Sequence, residues 1–110
     1  MFDYSNKKVV LTGGASGVGA AAVEMIANLG CNDLTVLDVN EPTGPATAYI
    51  PTDMSDPDSI DAAIAEIGDG VDVLFNNAGV AGVHEPDFVL RVNSLGPSRL
   101  TRGLLGGMSS

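Results

Sequence analysis

The sequence predicts an α/β fold, a doubly wound parallel sheet covered by helices on both faces. Two observations predict it. Short apolar, β-branched runs alternate with longer segments of helical composition, in the order β-α-β-β-α-β-α. The first of these runs is continuously apolar, as expected of a strand buried on both faces. Right-handed crossovers between such parallel strands place a ligand at their C-terminal ends.

Each element has its own signal. Lys8–Thr12 is a strand stopped by Gly13-Gly14. Gly17–Leu29 is Ala-rich and helical, with Gly30 as its stop. Leu34–Val39 is a second strand, and Asn40–Pro45 a turn-forming loop. Ala48–Pro51 is a short third strand, where Pro51 marks an end or an edge. Asp56 is an N-cap with Pro57 at the first helical position. Ile60, Ala63, Ile64 and Ile67 then form one buried stripe. Val71–Phe75 is the fourth strand, followed by Asn76-Asn77-Ala78-Gly79. The last helix is expected from Pro86 or Asp87, carrying Phe88, Leu90, Val92, Leu95 and Leu100, with a kink at Pro97. Gly106 to Ser110 are expected to fray.

The 110 residues suffice for one small domain, and 45% of them are apolar. The formal net charge of −9 opposes binding to nucleic acid or to an anionic membrane surface. Lys7 and Lys8 stand near the start and Arg91, Arg99 and Arg102 near the end, with no Lys or Arg from Val9 through Leu90. Any phosphate bound in that stretch must be held by backbone N–H groups and a helix N-terminus. Cys31 is the only cysteine, so no intrachain disulfide can form, which fits a reducing cytoplasm. It reads as a small filler near a helix end. The start, MFDYSNKK, is polar and unlike a signal peptide.

Thr12-Gly13-Gly14-Ala15-Ser16-Gly17-Val18-Gly19 joins the first strand to the first helix. Gly13 takes the tight turn, Gly17 admits a pyrophosphate close to the backbone, and Gly19 lets the helix pack on the sheet. The pattern predicts a Rossmann-type dinucleotide loop, here without a basic side chain, with a glycine-rich turn that holds no ligand as the alternative. Asp38 ends the second strand about 20 residues beyond the glycines, where a carboxylate accepts hydrogen bonds from the adenosine ribose hydroxyls. A carboxylate there repels a 2′-phosphate, and no nearby cation compensates. The expected cofactor is therefore NAD rather than NADP.

These residues resemble the short-chain dehydrogenase/reductase family. Thr12–Gly19 looks like its Thr-Gly-x-x-x-Gly-x-Gly motif, and Asn76-Asn77-Ala78-Gly79 its Asn-Asn-Ala-Gly motif. Asp53, followed by Met54, is similar to the family's aspartate after the third strand, which meets the adenine amino group. Val92-Asn93-Ser94-Leu95-Gly96 looks like its Val-Asn-x-x-Gly segment, whose asparagine serves the active-site proton relay. The resemblance implies cofactor contacts at Thr12, Gly13, Ser16, Gly17, Val18, Gly19, Asp38, Asp53, Met54, Asn77, Ala78 and Gly79, and a catalytic role for Asn93. It implies a small alcohol or carbonyl substrate and a homo-oligomeric parent enzyme. The short stretch between Gly79 and Asn93 resembles the hydroxysteroid dehydrogenase/carbonyl reductase type. His84, within that stretch, reads as a solvated loop histidine more readily than as a substrate contact.

The family also uses a Ser–Tyr–Lys arrangement on a fifth strand and the helix after it. Neither element falls within the 110 residues, so the chain is expected to be an N-terminal NAD-binding portion, truncated after about four strands. The Tyr4…Lys8 spacing mimics the Tyr-x-x-x-Lys pair, but it precedes the first strand, about 17 Å of chain from the cofactor end. Asn76 and Asn77 are expected to tie neighbouring strands together. The fourth strand is expected to present an apolar sheet edge that invites association. A stand-alone, non-catalytic NAD-binding module is the alternative to the enzyme.

Overall fold

A computed structural model of the chain describes residues 4–14, 17–46, 48–77 and 91–108. Four parallel strands, β1 (Val9–Thr12), β2 (Leu34–Asp38), β3 (Ala48–Pro51) and β4 (Val73–Asn76), lie in the order β3-β2-β1-β4. Helices α1 (Gly17–Asn28), α2 (Pro57–Ile67) and α3 (Gly96–Met108) complete it, α3 running on from a π-helical turn at Arg91–Leu95.

Alternation along the strands divides the core in two. On one face Val9, Leu11, Leu34 and Val36 pack against Val23 and Ile26 of α1. On the other, Val10, Leu37 and Ile50 meet Ile60, Ala63 and Ile67 of α2 and Leu100 and Leu104 of α3. Val9, Val10 and Leu11 are wholly buried. Burying each such side chain contributes about 1.5–3 kcal/mol, which makes β1 the axis of both cores. The two layers of helix on one parallel sheet are the predicted architecture.

Local chemistry sets most of the ends. Gly30 takes φ +95°, its N–H bonding to the Ala27 carbonyl while Cys31 N–H reaches Ile26, and this closes α1. Asp56 caps α2 by accepting the Asp58 N–H at 3.0 Å, ahead of Pro57. Pro51 lies in β3, an outer strand of the described sheet, where its missing N–H leaves no ladder bond unmade.

Three expectations are corrected. The fourth strand begins at Val73, two residues late. Asp72 and Val73 both donate to the Lys8 carbonyl, and the Asp72 carboxylate accepts the Lys8 N–H at 2.8 Å, so Asp72 closes a turn before the ladder starts. The last helix is not one kinked α-helix: a π-turn gives way to α3 at Gly96. Pro97 has no N–H for the carbonyl four residues earlier, that of Asn93, and a wider turn accommodates this. Leu95, expected on the apolar stripe, is 53% exposed as a result. Gly106 to Met108 continue α3 rather than fray, while Ser109, Ser110, Phe88 and Leu90 lie outside the described residues.

Lys8 has a structural duty. Its Nζ donates to the carbonyls of Ile67 at 2.6 Å and Asp69 at 2.7 Å, at the C-terminal end of α2. A cation there also opposes the negative end of the helix dipole. Tyr4 instead packs edge-on to Phe75, with ring centroids 6.3 Å apart, in the α1-side core. The two residues do not form a Tyr–Lys pair, as their position in the sequence predicts. Lys8→Met should therefore lower unfolding free energy by about 1–2 kcal/mol, as read by urea titration, through lost charged hydrogen bonds.

Arg99 of α3 forks onto Asp61 of α2, Nε to Oδ1 at 2.8 Å and Nη2 to Oδ2 at 2.7 Å. These hydrogen bonds, aided by the Arg99 charge, hold the Asp61 carboxyl below the usual carboxylate range. A depressed folded-state pKa gives stability that is present above the unfolded pKa and lost as pH falls through the folded one. Asp61→Asn should leave stability at about pH 7 only slightly lower, since the pair is exposed, and should flatten its decline toward about pH 3. Unfolding midpoints of the two proteins across that range check this.

Candidate nucleotide-binding site

The sheet order creates one crevice. After β1 the chain turns toward β2 and β3, then returns through α2 to place β4 on the other side of β1. The carboxyl ends of β1 and β4 are therefore a switch point, the place where parallel α/β sheets bind ligands. Register puts Thr12 opposite both Leu37 and Asn76, so the ends of β1, β2 and β4 lie at one level.

Four hydrogen bonds join this edge. Thr12, wholly buried, accepts the Asn77 N–H on Oγ1 at 2.9 Å and directs its own hydroxyl at the Phe75 carbonyl, 3.5 Å away. Asn77 Nδ2 donates to the Gly13 carbonyl at 3.3 Å. Gly13 N–H in turn bonds to the Leu37 carbonyl at 2.8 Å. Asn77 thus ties β4 to the β1–α1 turn, as expected of it. Asn76 acts differently from expectation: its Nδ2 reaches Thr101 Oγ1 of α3 at 3.1 Å, anchoring a helix and not a neighbouring strand.

Gly13 and Gly17 both take positive φ, +75° and +59°, which side chains disfavour. At Gly19 the constraint is space. An added Cβ would fall on the Gly13 carbonyl oxygen and 2.7 Å from Asn77 Nδ2. Helix α1 therefore starts directly against the exit of β1, and the first-turn N–H groups, which a helix leaves without intrahelical partners, have no acidic side chain among them. Val18, in that first turn, is 77% exposed. This donor set fits an anionic diphosphate, which backbone amides and the positive helix end attract. Ser16, Ala78 and Gly79, assigned to the same site by motif, lie outside the described residues, as does His84.

The carboxylates follow along the edge. Asp38 closes β2 and accepts the Asn40 N–H on Oδ1 at 3.1 Å. Asp53 lies beyond β3, exposed, with Oδ1 accepting from both Ser55 N–H at 2.9 Å and Ser55 Oγ at 2.6 Å. Met54 is only 5% exposed and belongs to the α2-side core, so a ligand meets its backbone rather than its side chain. A cleft of about 300 Å³ between α2 and α3 shares Met54, Leu95 and Arg99 but none of the glycine turn. Asn93 sits in the π-turn, exposed, apart from the glycines in sequence and carried by a separate element. Single π-turns within helices recur at functional sites. Pro97 was the available signal for that turn. The described residues contain no group of three His, Cys, Asp or Glu suited to a metal ion, and no helix long and apolar enough to cross a membrane.

A parallel α/β sheet with a glycine turn at its switch point is thereby defined. The family model described as short chain dehydrogenase matches residues 7–110, and the chain belongs to that family. Coniferyl-alcohol dehydrogenase of Pseudomonas sp. (strain HR199 / DSM 7063) is 39% identical over 92% of this chain and 39% of its own length. A fatty acyl-CoA reductase of Mycobacterium tuberculosis is 32% identical over 96% of this chain and 44% of its own length. Among solved structures, a Brucella ovis short chain dehydrogenase/reductase in complex with a partially ordered NAD superposes with TM-score 0.77. It is 29% identical and is matched over 93% of this chain and 57% of that one. The chain thus spans about two fifths of the length of these curated relatives.

Gly19→Ala should force α1 away from β1, at a cost of about 1–3 kcal/mol for overpacking against rigid backbone. Calorimetric melting checks the loss, and nucleotide binding should weaken with it.

Proposed function

We propose that this chain forms the NAD-binding part of an oxidoreductase acting on an alcohol or carbonyl substrate. The observation that carries the cofactor choice is Asp38 at the end of β2, beside a glycine turn, within 82 consecutive residues free of Lys and Arg, Val9 through Leu90. Its carboxylate suits the two ribose hydroxyls and opposes a 2′-phosphate. The amides of the glycine turn hold the diphosphate, and Asp53 stands where the adenine amino group is read. Bound NAD supplies the hydride-accepting nicotinamide carbon. Asn93, on its π-turn, serves the proton relay.

Family membership supports the oxidoreductase class, and the names of the two curated relatives support alcohol or carbonyl chemistry. The NAD in the Brucella ovis relative supports a nicotinamide dinucleotide as the ligand. The single cysteine fits a reducing cytoplasm as the place of work.

The test is calorimetric titration of the purified full-length protein with NAD and NADP at moderate salt. NAD should bind more tightly. Asp38→Asn should weaken NAD by about 10- to 100-fold, the worth of charged hydrogen bonds, and narrow the gap to NADP. NADP binding at least as tight as NAD in the unchanged protein overturns the assignment. NAD binding without turnover of any alcohol or carbonyl compound would favour a binding module instead.

A further inference from the structure

The end of β2 is held from one side by an arrangement that the motifs do not contain. The Asp38 carbonyl accepts two hydrogen bonds from the β3 region. Thr52 N–H donates to it at 2.9 Å, and the Tyr49 hydroxyl at 3.1 Å. The first is ordinary parallel-strand pairing. The second is a side chain of β3 reaching the last residue of β2, eleven positions earlier in the chain. Both acceptor positions of that carbonyl are thereby occupied. Thr52 is itself buried and donates its hydroxyl to the Ile50 carbonyl at 2.9 Å, which stiffens the point from which its N–H is offered. On the far side of Asp38 the chain leaves the sheet at once, and Val39 is 64% exposed.

The consequence falls on the Asp38 side chain. Its peptide plane is clamped, and its carboxylate is turned by the Asn40 N–H. A carboxylate at a strand end with a loose following peptide samples several directions, and a bidentate contact to two vicinal hydroxyls requires one. Tyr49 is half-buried, and burial, with the charges of Asp38 and Glu41, raises the pKa of its hydroxyl.

We infer that Tyr49 is a positioning residue: by donating its hydroxyl to the Asp38 carbonyl it orients the Asp38 carboxylate toward the adenosine ribose and so contributes to selection of the unphosphorylated dinucleotide. The inference rests on the assignment of Asp38 to that ribose. Tyr49 touches no part of the cofactor in this scheme, and its effect passes through Asp38 alone.

The test is titration of the full-length protein and its Tyr49→Phe variant with NAD and with the NAD analogue whose adenosine carries 2′-deoxyribose. The unchanged protein should prefer NAD. Tyr49→Phe removes one hydroxyl and keeps the ring, so the fold is retained and the melting temperature checks this. It should weaken NAD about fivefold, the worth of one neutral hydrogen bond, while the deoxy analogue changes less than about twofold. In an Asp38→Asn background the same change should have no further effect on NAD. Equal weakening of both ligands, an unchanged affinity for NAD, or an undiminished loss in the Asp38→Asn background would each overturn the inference while leaving the NAD assignment standing. Failure of the unchanged protein to bind NAD, or to distinguish it from the deoxy analogue, overturns the Asp38 assignment and this inference with it.

Discussion

The contact between Gly19 and the Gly13 carbonyl is the constraint on which the site depends. In the proposed site, an anion at this edge meets no lysine or arginine from the 82 residues Val9 through Leu90, and the attraction is assigned to aligned peptide dipoles. That field falls off within a turn of the helix. It is useful only if the first turn of α1 begins at the mouth of the crevice, and a single methyl group at Gly19 would displace it. Asn77 then fills the remaining space, bonding the same carbonyl that Gly19 lies against. The backbone approach and the side-chain tie are two parts of one closure.

That closure needs β4 next to β1, which is a matter of topology. With the order β3-β2-β1-β4, Thr12 sits level with Asn76, and the residue after it can reach back to the Thr12 hydroxyl. A wholly buried threonine hydroxyl is costly unless bonded. Here it is satisfied by the main chain of the strand across the switch point, so the same group that avoids a penalty also fixes how the two halves of the sheet meet. Lys8 and Asp72 do the corresponding work at the opposite end of β1 and β4, where the groups are charged and partly open to water.

How much of this is legible in the sequence depends on how far apart the partners are. Features set within a few residues are read correctly: the Asp56 cap with Pro57, the Gly30 stop, the edge position of Pro51, the glycine turn itself. Each is decided by local backbone chemistry. The stripe of α2 is also legible, because burial repeats at helical spacing. Missed are contacts between residues far apart in the chain. Lys8 to Ile67, Asn76 to Thr101 and Tyr49 to Asp38 connect elements whose proximity follows only from the sheet order. The fourth strand is misplaced by two residues for the same reason: Val71 is buried as a strand residue would be, but the bonds of Asp72 that delay the ladder go to Lys8. The π-turn is an intermediate case. Pro97 announces that α-helical bonding fails at Asn93, yet proline alone does not tell a kink from a wider turn.

The distribution of charge links the glycine turn to Asp38. A dinucleotide site that used lysine or arginine for its phosphates would carry a positive field at the ribose as well, and a 2′-phosphate would be drawn into it. Holding the diphosphate by backbone amides keeps the positive potential short-ranged and confined to the head of α1. The ribose end, at β2, is then left to carboxylates, with Asp38 on the strand and Glu41 close enough to act on Tyr49. In the proposed site, binding of the diphosphate and rejection of a 2′-phosphate on the same ligand are compatible because the attractive part is made of dipoles and the repulsive part of net charge. On that proposal, the absence of Lys and Arg from Val9 through Leu90 is compatible with both, and the orientation of the Asp38 carboxylate sets how sharply they are separated.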